Sequence, residues 1–252
     1  MWAYRTRLAG DIVAEFLPPG AGTPRHRLIV LLDGMPALPR KQPLMEFLAA
    51  RGYWVFYPRW RGSWESGGEF LRHSPERDLA DLLDALPKGV REAAFGRRFR
   101  VTVREIYVIG GSFGGAAAIL STLDARVRRA VANCPVVDWS ILGRELGKET
   151  SNPSYVAYIR EAFGSGYRLS ERNWNKLRTG RFFNPAARAA ELDGSKFLLY
   201  HAKDDPYLPW RQVAHFAHTT GARLHLLERG GHLSTDRIVR RRWRTIERFL
   251  LG

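Results

Sequence analysis

Short apolar runs alternate with polar or amphipathic segments along most of the 252-residue chain. Leu28–Leu32 and Ile106–Ile109 are continuous apolar runs, as expected of strands buried on both faces of a parallel sheet. Further strands are predicted at residues 53–57, 127–133, 196–201 and 223–227, with an antiparallel hairpin at 4–16. Helices are predicted at residues 41–51 and 75–86 and at the C-terminus, and the basic stretch at residues 88–104 is expected to be a loop or an extra helix. This alternation predicts an α/β fold with a mostly parallel central sheet and helices on both faces.

A glycine-rich turn, Gly110–Gly115 with the sequence G-G-S-F-G-G, follows the Ile106–Ile109 run. It fits the G-x-S-x-G pattern and lies between a predicted strand and an alanine-rich helical segment, so it predicts a nucleophile elbow with a strained Ser112. Strand and helix pass so closely in such a turn that a Cβ at Gly110 or Gly114 would clash. The alternative is an ordinary glycine-rich connection.

A serine nucleophile needs a base and an acid, which follow such an elbow in the order Ser, Asp or Glu, His. Asp204 and Asp205 come after the predicted strand at 196–201, and His232 lies in the loop after the strand at 223–227. The carboxyl ends of parallel strands share one edge of a sheet, so these groups are predicted to meet near Ser112. Asp138, directly after the strand at 127–133, is the alternative acid.

Several segments resemble the α/β-hydrolase superfamily, and within it the catalytic domain of the prolyl oligopeptidase family. Besides the elbow, they are Tyr57–Ser63, Pro135–Trp139 and Asn184-Pro185. His201–Pro209 is similar to that family's H-G-x-x-D-x-x-V-P motif. Its register selects Asp205 as the acid of a Ser112, Asp205, His232 triad, with His201 as a structural residue and Asp204 as a loop cap. The resemblance implies the α/β-hydrolase fold with a small helical cap.

Two departures from that family change the expected activity. Its peptidases carry a large N-terminal propeller, which is not expected within these 252 residues. Their Tyr- or His-led Gly-Pro motif is replaced by Asp33-Gly34-Met35-Pro36. The resemblance therefore implies a stand-alone serine esterase that cleaves carboxylic esters, with lactones as further candidates. The alternatives are a peptidase or aminoacyl hydrolase, and a non-catalytic basic scaffold on a hydrolase fold.

The oxyanion hole is predicted from backbone N–H groups, because these donors cannot swing away. The N–H of Phe113 at the start of the elbow helix is the first expected donor. The second should come from the loop after Leu28–Leu32, and Met35 is preferred to Gly34. Asp33 beside this loop would repel the developing negative charge unless it points away or is paired.

Residues 138–183 interrupt the alternation and are predicted to form a cap with two short helices. These start at Asn152-Pro153 and Ser170-Glu171 and run to about Phe163 and Arg178, respectively. The segment is rich in aromatic residues. Five aromatic residues in and around the cap are candidates for the substrate pocket: Trp60, Trp64, Trp139, Tyr155 and Tyr158. The alternative is that these rings pack the cap against the body of the protein.

The formal net charge is +15, and its densest part is Arg237–Arg244 in the predicted terminal helix. The apolar residues of that helix keep roughly to one face, so a solvated basic face is the preferred interpretation. No nucleic-acid motif accompanies it, and no apolar stretch is long enough to insert into a membrane. The expected partner is a small-molecule ester or lactone, and an edge strand or the cap could pair two subunits in a homodimer.

Length and composition predict one globular domain over residues 1–252. Cys134 is the single cysteine and cannot form an internal disulfide, so a cytoplasmic location is expected. It is predicted to be a buried structural thiol. No cluster with metal-ligand spacing occurs, and a serine mechanism needs no cofactor.

Overall fold

The computed structural model describes residues 2–23, 26–140 and 154–252. Its strands are β1 Tyr4–Leu8, β2 Ile12–Leu17, β3 Arg27–Leu32, β4 Tyr53–Pro58, β5 Val90–Arg91, β6 Arg98–Phe99, β7 Glu105–Gly111, β8 Val127–Asn133, β9 Phe197–Ala202 and β10 Arg223–Leu227. Its helices are α1 Gln42–Ala49, α2 Pro75–Ala85, α3 Phe113–Ser121, α4 Ser154–Phe163, α5 Glu171–Asn175, α6 Trp210–Thr220, α7 Thr235–Arg241 and α8 Trp243–Leu251. None of the helices described is long and apolar enough to cross a membrane.

The central sheet has eight strands in the order β1-β2-β4-β3-β7-β8-β9-β10. The β1–β2 hairpin and the β2–β4 pair are antiparallel, and every other pair in this sheet is parallel. The predicted hairpin and parallel sheet are therefore confirmed. Because β7, β8, β9 and β10 lie side by side and point the same way, the loops that follow them emerge at one edge.

The strand β3 shows why the buried strands are continuously apolar. Leu28, Val30 and Leu32 pack into one core layer, with side chains of α2, α3 and α6. Ile29 and Leu31 point to the other face and pack with α1, α7 and α8. Successive residues of a strand face opposite sides, so helices on both faces require apolar residues at every position.

Two sequence predictions are corrected at the level of local structure. Residues 88–104, expected to be a loop or an extra helix, contain the short antiparallel pair β5–β6. The buried Glu92 closes its turn by accepting hydrogen bonds from the N–H groups of Ala94 at 2.5 Å and Phe95 at 2.8 Å. The terminal helix is two helices, because the backbone leaves helical geometry at Arg242. The break lets apolar residues of both α7 and α8 reach the sheet.

The segment predicted as a cap lies partly outside the described residues, including the expected start of its first helix at Asn152-Pro153. The second helix, α5, is shorter than expected and continues as a 3-10 helix, Lys176–Thr179. Ser170 caps α5 by accepting a hydrogen bond from the N–H of Asn173. Between α4 and α5, the backbone pairs with the loop after β4: Trp64 N–H donates to Gly166 O at 2.8 Å, and Arg168 N–H donates to Gly62 O at 2.7 Å.

The first turn of α3 lies against the ends of β3 and β7. A Cβ at Gly110 would overlap the backbone of Gly114, and a Cβ at Gly114 would overlap the carbonyl oxygens of Leu32 and Asp33. The close strand–helix contact predicted at these two glycines is therefore confirmed. Both obstacles are backbone atoms, which cannot rotate away.

We expect Gly114→Ala to lower the free energy of unfolding by about 1–3 kcal/mol, because the added methyl group displaces packed backbone. Gly20→Ala is the matched control, since its Cβ would meet its nearest atom, Ala49 O, at 3.5 Å. The control should change stability by no more than about 0.5 kcal/mol. Urea unfolding monitored by circular dichroism measures both, and equal effects would contradict the close-contact argument.

Candidate active site

Ser112 occupies the turn between β7 and α3 in a backbone conformation that is uncommon for a residue with a side chain. Its φ is +54° and its ψ is −118°. Such a conformation costs on the order of 1–3 kcal/mol and persists only where the surroundings hold it. Here the N–H of Ser112 donates to Asn133 O at 2.9 Å, and its carbonyl accepts from the N–H of Gly115 at 3.0 Å and of Val136 at 3.2 Å. The turn thus has the geometry that the sequence predicts for an elbow.

Asp205 and His232 are joined by a hydrogen bond between Asp205 Oδ2 and His232 Nδ1 at 2.8 Å. The other carboxylate oxygen accepts from the N–H groups of Tyr207 at 2.9 Å and Leu208 at 3.1 Å. Burial alone would raise the pKa of the Asp205 carboxyl, but these donors outweigh it and hold the pKa below its ordinary value. An ionised Asp205 fixes a proton on Nδ1 and leaves Nε2 of His232 available as a base.

The loop that carries His232 is tied to the strands beside it. Asp204 Oδ1 accepts from the N–H of Gly231 at 2.8 Å, and Asn133 Nδ2 donates to Leu233 O at 2.6 Å. Asn133 also binds the backbone of Ser112, so one residue contacts both the turn and the loop. Among the residues that the structure describes, no hydrogen bond joins the Ser112 hydroxyl to His232. Serine–histidine hydrogen bonds of this kind are often long or poorly aligned in the absence of a substrate.

Asp138, the alternative acid, has different partners. Its Oδ1 accepts from Ser140 N–H at 2.9 Å, from the Ser140 hydroxyl at 2.7 Å and from Asn184 Nδ2 at 3.0 Å. These bonds close the turn after β8 and connect it to the segment before β9. The geometry therefore pairs His232 with Asp205 and gives Asp138 a place in a turn.

The two backbone segments predicted to supply the oxyanion hole both lie beside Ser112. The N–H of Phe113 is at the first position of α3, where no acceptor exists within the helix, and the described residues place none on it. On the other side, a Cβ at Gly34 would lie 3.4 Å from Cβ of Ser112, so the loop after β3 passes directly alongside. Met35 follows Gly34 in that loop, and the hydroxyl of Tyr155 lies 4.0 Å from the sulfur of Met35.

The carboxylate of Asp33, which the sequence leaves without a partner, is paired. Lys41 Nζ lies 3.1 Å from Asp33 Oδ1, and the Tyr57 hydroxyl donates to Asp33 Oδ2. Burial, followed by the charge of Asp33, raises the pKa of Tyr57, so the phenol stays protonated and acts as donor. The negative charge of Asp33 in the loop after β3 is thereby compensated.

The aromatic residues predicted to line the pocket fall into different environments. Trp60 and Trp139 are only 4% and 8% exposed and pack on the ring of Phe113, with ring centroids 5.6 Å and 5.8 Å away. Both lie in the interior, in agreement with the packing alternative. Trp64 and Tyr155 are half-buried, whereas the Tyr158 side chain is 51% exposed on α4. Their contact with substrate stays a prediction.

Cys134, His201 and Asp205 form a buried cluster whose potential ligand atoms lie within 4.8 Å of one another. His201 Nε2 contacts Leu208 O at 2.9 Å, and burial lowers the pKa of its ring. Burial, followed by the charge of Asp205, raises the pKa of the Cys134 thiol. A protonated thiol is a poor metal ligand, and both Asp205 oxygens already accept hydrogen bonds. The cluster fits a buried support behind Asp205 better than a metal site.

Sequence reasoning missed the polar partners that hold these loops, notably Lys41, Asn133 and the hydroxyls of Tyr57 and Tyr167. Tyr57 could have been noted, because it stands at the end of a predicted strand next to the one that precedes Asp33. No local pattern identifies the other three: Asn133 and Tyr167 have partners 100 and 130 residues away, and the spacing of Lys41 from Asp33 matches no regular helix or strand period.

Residues 16–241 match the Alpha/beta hydrolase family, and the chain belongs to that family. Among curated proteins, none matches the sequence.

Solved structures of hydrolases share the fold at low sequence identity. An esterase from Pyrococcus furiosus is 17% identical, with 99% of this chain and 89% of that chain covered and a TM-score of 0.68. An esterase from Thermogutta terrifontis, solved with butyrate bound, is 16% identical, with 98% and 93% covered and a TM-score of 0.62. The acylaminoacyl peptidase of Pyrococcus horikoshii is 15% identical, with 98% of this chain but 40% of that chain covered and a TM-score of 0.65.

The depressed pKa of Asp205 predicts how acid affects stability. A carboxyl with a lowered folded-state pKa contributes stability above its unfolded-state value and loses that contribution as the pH falls through the folded-state value. The stability difference between wild type and Asp205→Asn should therefore be constant near neutral pH and shrink below about pH 4. Urea unfolding of both proteins from pH 7 to pH 2.5 measures it. A difference independent of pH would show that the ionised carboxylate is not stabilised by folding.

Proposed function

We propose that this protein is a serine hydrolase that cleaves carboxylic esters through an acyl-enzyme formed on Ser112. The observation that carries the proposal is the strained Ser112 at the β7–α3 turn, together with the hydrogen-bonded Asp205–His232 pair on loops that emerge at the same edge of the sheet. A turn of this kind presents a hydroxyl above the sheet edge. The oriented imidazole supplies the base that a serine hydroxyl needs at neutral pH.

In the proposed reaction, Ser112 Oγ attacks the acyl carbonyl while Nε2 of His232 takes the hydroxyl proton. The same nitrogen then gives the proton to the departing alkoxide, and the acyl group stays on Ser112. Water repeats the sequence and releases the acid. Asp205 keeps Nδ1 protonated and stabilises the imidazolium while it carries the extra proton.

The tetrahedral intermediate places negative charge on the former carbonyl oxygen. The backbone N–H groups of Phe113 and Met35 are the proposed donors to it, and both belong to backbone segments that lie beside Ser112. Preorganised donors stabilise the transition state more than the ground state, because the oxygen gains charge only as the reaction proceeds. The paired Asp33 adds no uncompensated charge to this site.

The proposed substrates are small or medium esters, and lactones are included because their ring-opening is the same acyl transfer. Such chemistry needs no metal or cofactor. Amide substrates are a second candidate, supported by the likeness to the acylaminoacyl peptidase over the catalytic part of that chain. The replacement of that family's Tyr- or His-led motif by Asp33-Gly34-Met35-Pro36 favours esters.

A panel of chromogenic esters of increasing acyl length, with lactones and aminoacyl amides beside them, tests the reaction class. We expect ester or lactone turnover that Ser112→Ala lowers by at least about 1,000-fold, because the nucleophile is lost. Amide turnover of comparable kcat/KM would favour the peptidase. Turnover that survives in Ser112→Ala would contradict the mechanism.

The acid of the triad is tested by two matched substitutions. Asp205→Asn should reduce kcat by about 1,000-fold or more, because an amide no longer selects the correct tautomer of His232. Asp138→Asn removes an equally sized carboxylate from the turn after β8 and should change kcat by less than about tenfold. The reverse order of effects would assign the acid to Asp138.

A further inference from the structure

We propose that Trp64 and Tyr167 are positioning residues for catalysis, which hold the oxyanion loop (residues 33–37) by hydrogen bonds to the carbonyl oxygen and the N–H of Ala37, respectively. The inference rests on the proposed function, since it concerns the donor that Met35 would supply. It gives these two aromatic residues a role in the position of the loop rather than in the wall of a substrate pocket.

The loop at residues 33–37 is attached to the protein at both ends. At its start, Trp60 Nε1 donates to Asp33 O at 3.2 Å, and the Asp33 carboxylate is held by Lys41 and Tyr57. At its end, Ala37 N–H donates to the Tyr167 hydroxyl at 2.9 Å.

The same end of the loop has a second attachment, because Trp64 Nε1 donates to Ala37 O at 3.1 Å. Met35 lies between the two attached ends, so their positions determine where its N–H points. Removal of either contact at Ala37 would weaken the attachment of this end while the start of the loop stayed fixed.

The two residues that bind Ala37 are themselves held in place by their surroundings. Tyr167 is only 3% exposed, and the centroid of its ring lies 6.2 Å from that of Trp64. Trp64 has a φ of +45°, which a residue with a side chain rarely adopts. Its N–H donates to Gly166 O, in the backbone pairing that joins the loop after β4 to the segment before α5. The indole of Trp64 and the phenol of Tyr167 are therefore held by packing and by backbone pairing.

The consequence is specific to the transition state. A donor that is displaced by a fraction of an ångström still leaves room for the substrate, but it no longer meets the oxygen on which charge develops. Loss of the Tyr167 hydroxyl should therefore lower kcat and leave KM nearly unchanged. A residue that only lined the substrate pocket would change KM instead.

The experiment measures the reaction of Ser112 with an alkyl fluorophosphonate, alongside ester hydrolysis. In this reaction Ser112 Oγ bonds to phosphorus, fluoride leaves, and His232 takes the hydroxyl proton. The phosphoryl oxygen occupies the oxyanion hole, so the rate reports on the donors. We expect Tyr167→Phe and Trp64→Phe each to lower this rate and kcat by about tenfold, with KM within about twofold of wild type.

Tyr200→Phe is the matched control, because it removes a buried hydroxyl that has no hydrogen-bond partner in the described structure. It should leave the phosphonylation rate within about twofold of wild type. Circular dichroism and thermal unfolding of the three variants establish that each is folded at the assay temperature.

The outcomes separate this inference from the proposed function. Wild-type protein that is not labelled at Ser112 would overturn both. Wild-type labelling with an unchanged rate in Tyr167→Phe and Trp64→Phe would overturn the positioning role and leave the hydrolase intact. A rise in KM with unchanged kcat would also overturn it, because it would assign the two side chains to substrate binding.

Discussion

The first turn of α3 lies in backbone contact with the ends of β3 and β7, and the arrangement around Ser112 depends on that contact. Gly110 and Gly114 permit it because neither carries a Cβ. The approach leaves Ser112 in its strained turn conformation, next to a Phe113 N–H that has no acceptor among the described residues. It also places the loop after β3 beside Ser112, since Gly114 touches the carbonyl of Asp33. The positions of Ser112 and of both proposed oxyanion donors thus depend on one contact.

Aromatic side chains reinforce this contact in two ways. Four rings surround the side chain of Phe113, and they belong to Trp60, Phe70, Trp139 and Phe183. Trp60 in addition donates a hydrogen bond to the oxyanion loop. An indole or phenol combines a large buried surface with one polar group at its edge, so it can fill the core and still bind a backbone atom. Small shifts of the loop are therefore resisted by packing as well as by hydrogen bonds.

Two carboxylates lie at the site, and their bonding partners differ. Asp33 is compensated by an ammonium group and a phenol, so it contributes little field at the oxyanion position. The side chain of Asp205 is fully buried. One of its oxygens binds His232, and the other accepts hydrogen bonds from backbone N–H groups. A charge without partners would be costly in such surroundings, which explains why each has several donors. The same residue type is therefore charge-compensated at one position and paired with an imidazole at the other.

The sequence alone determined the strands, the hairpin and the elbow, because apolar alternation and glycine spacing act over a few residues. It also located the loops of Asp205 and His232, because these directly follow recognisable strands, although the choice over Asp138 needed a family motif. Only the tertiary structure decided which carboxylate meets the imidazole, how Asp33 is neutralised and what holds Ala37. Tyr167 and Ala37 are 130 residues apart, and no local pattern encodes which distant side chains will meet. The direction of a side chain depends on the packing of the whole sheet, and that packing exists only in the folded protein.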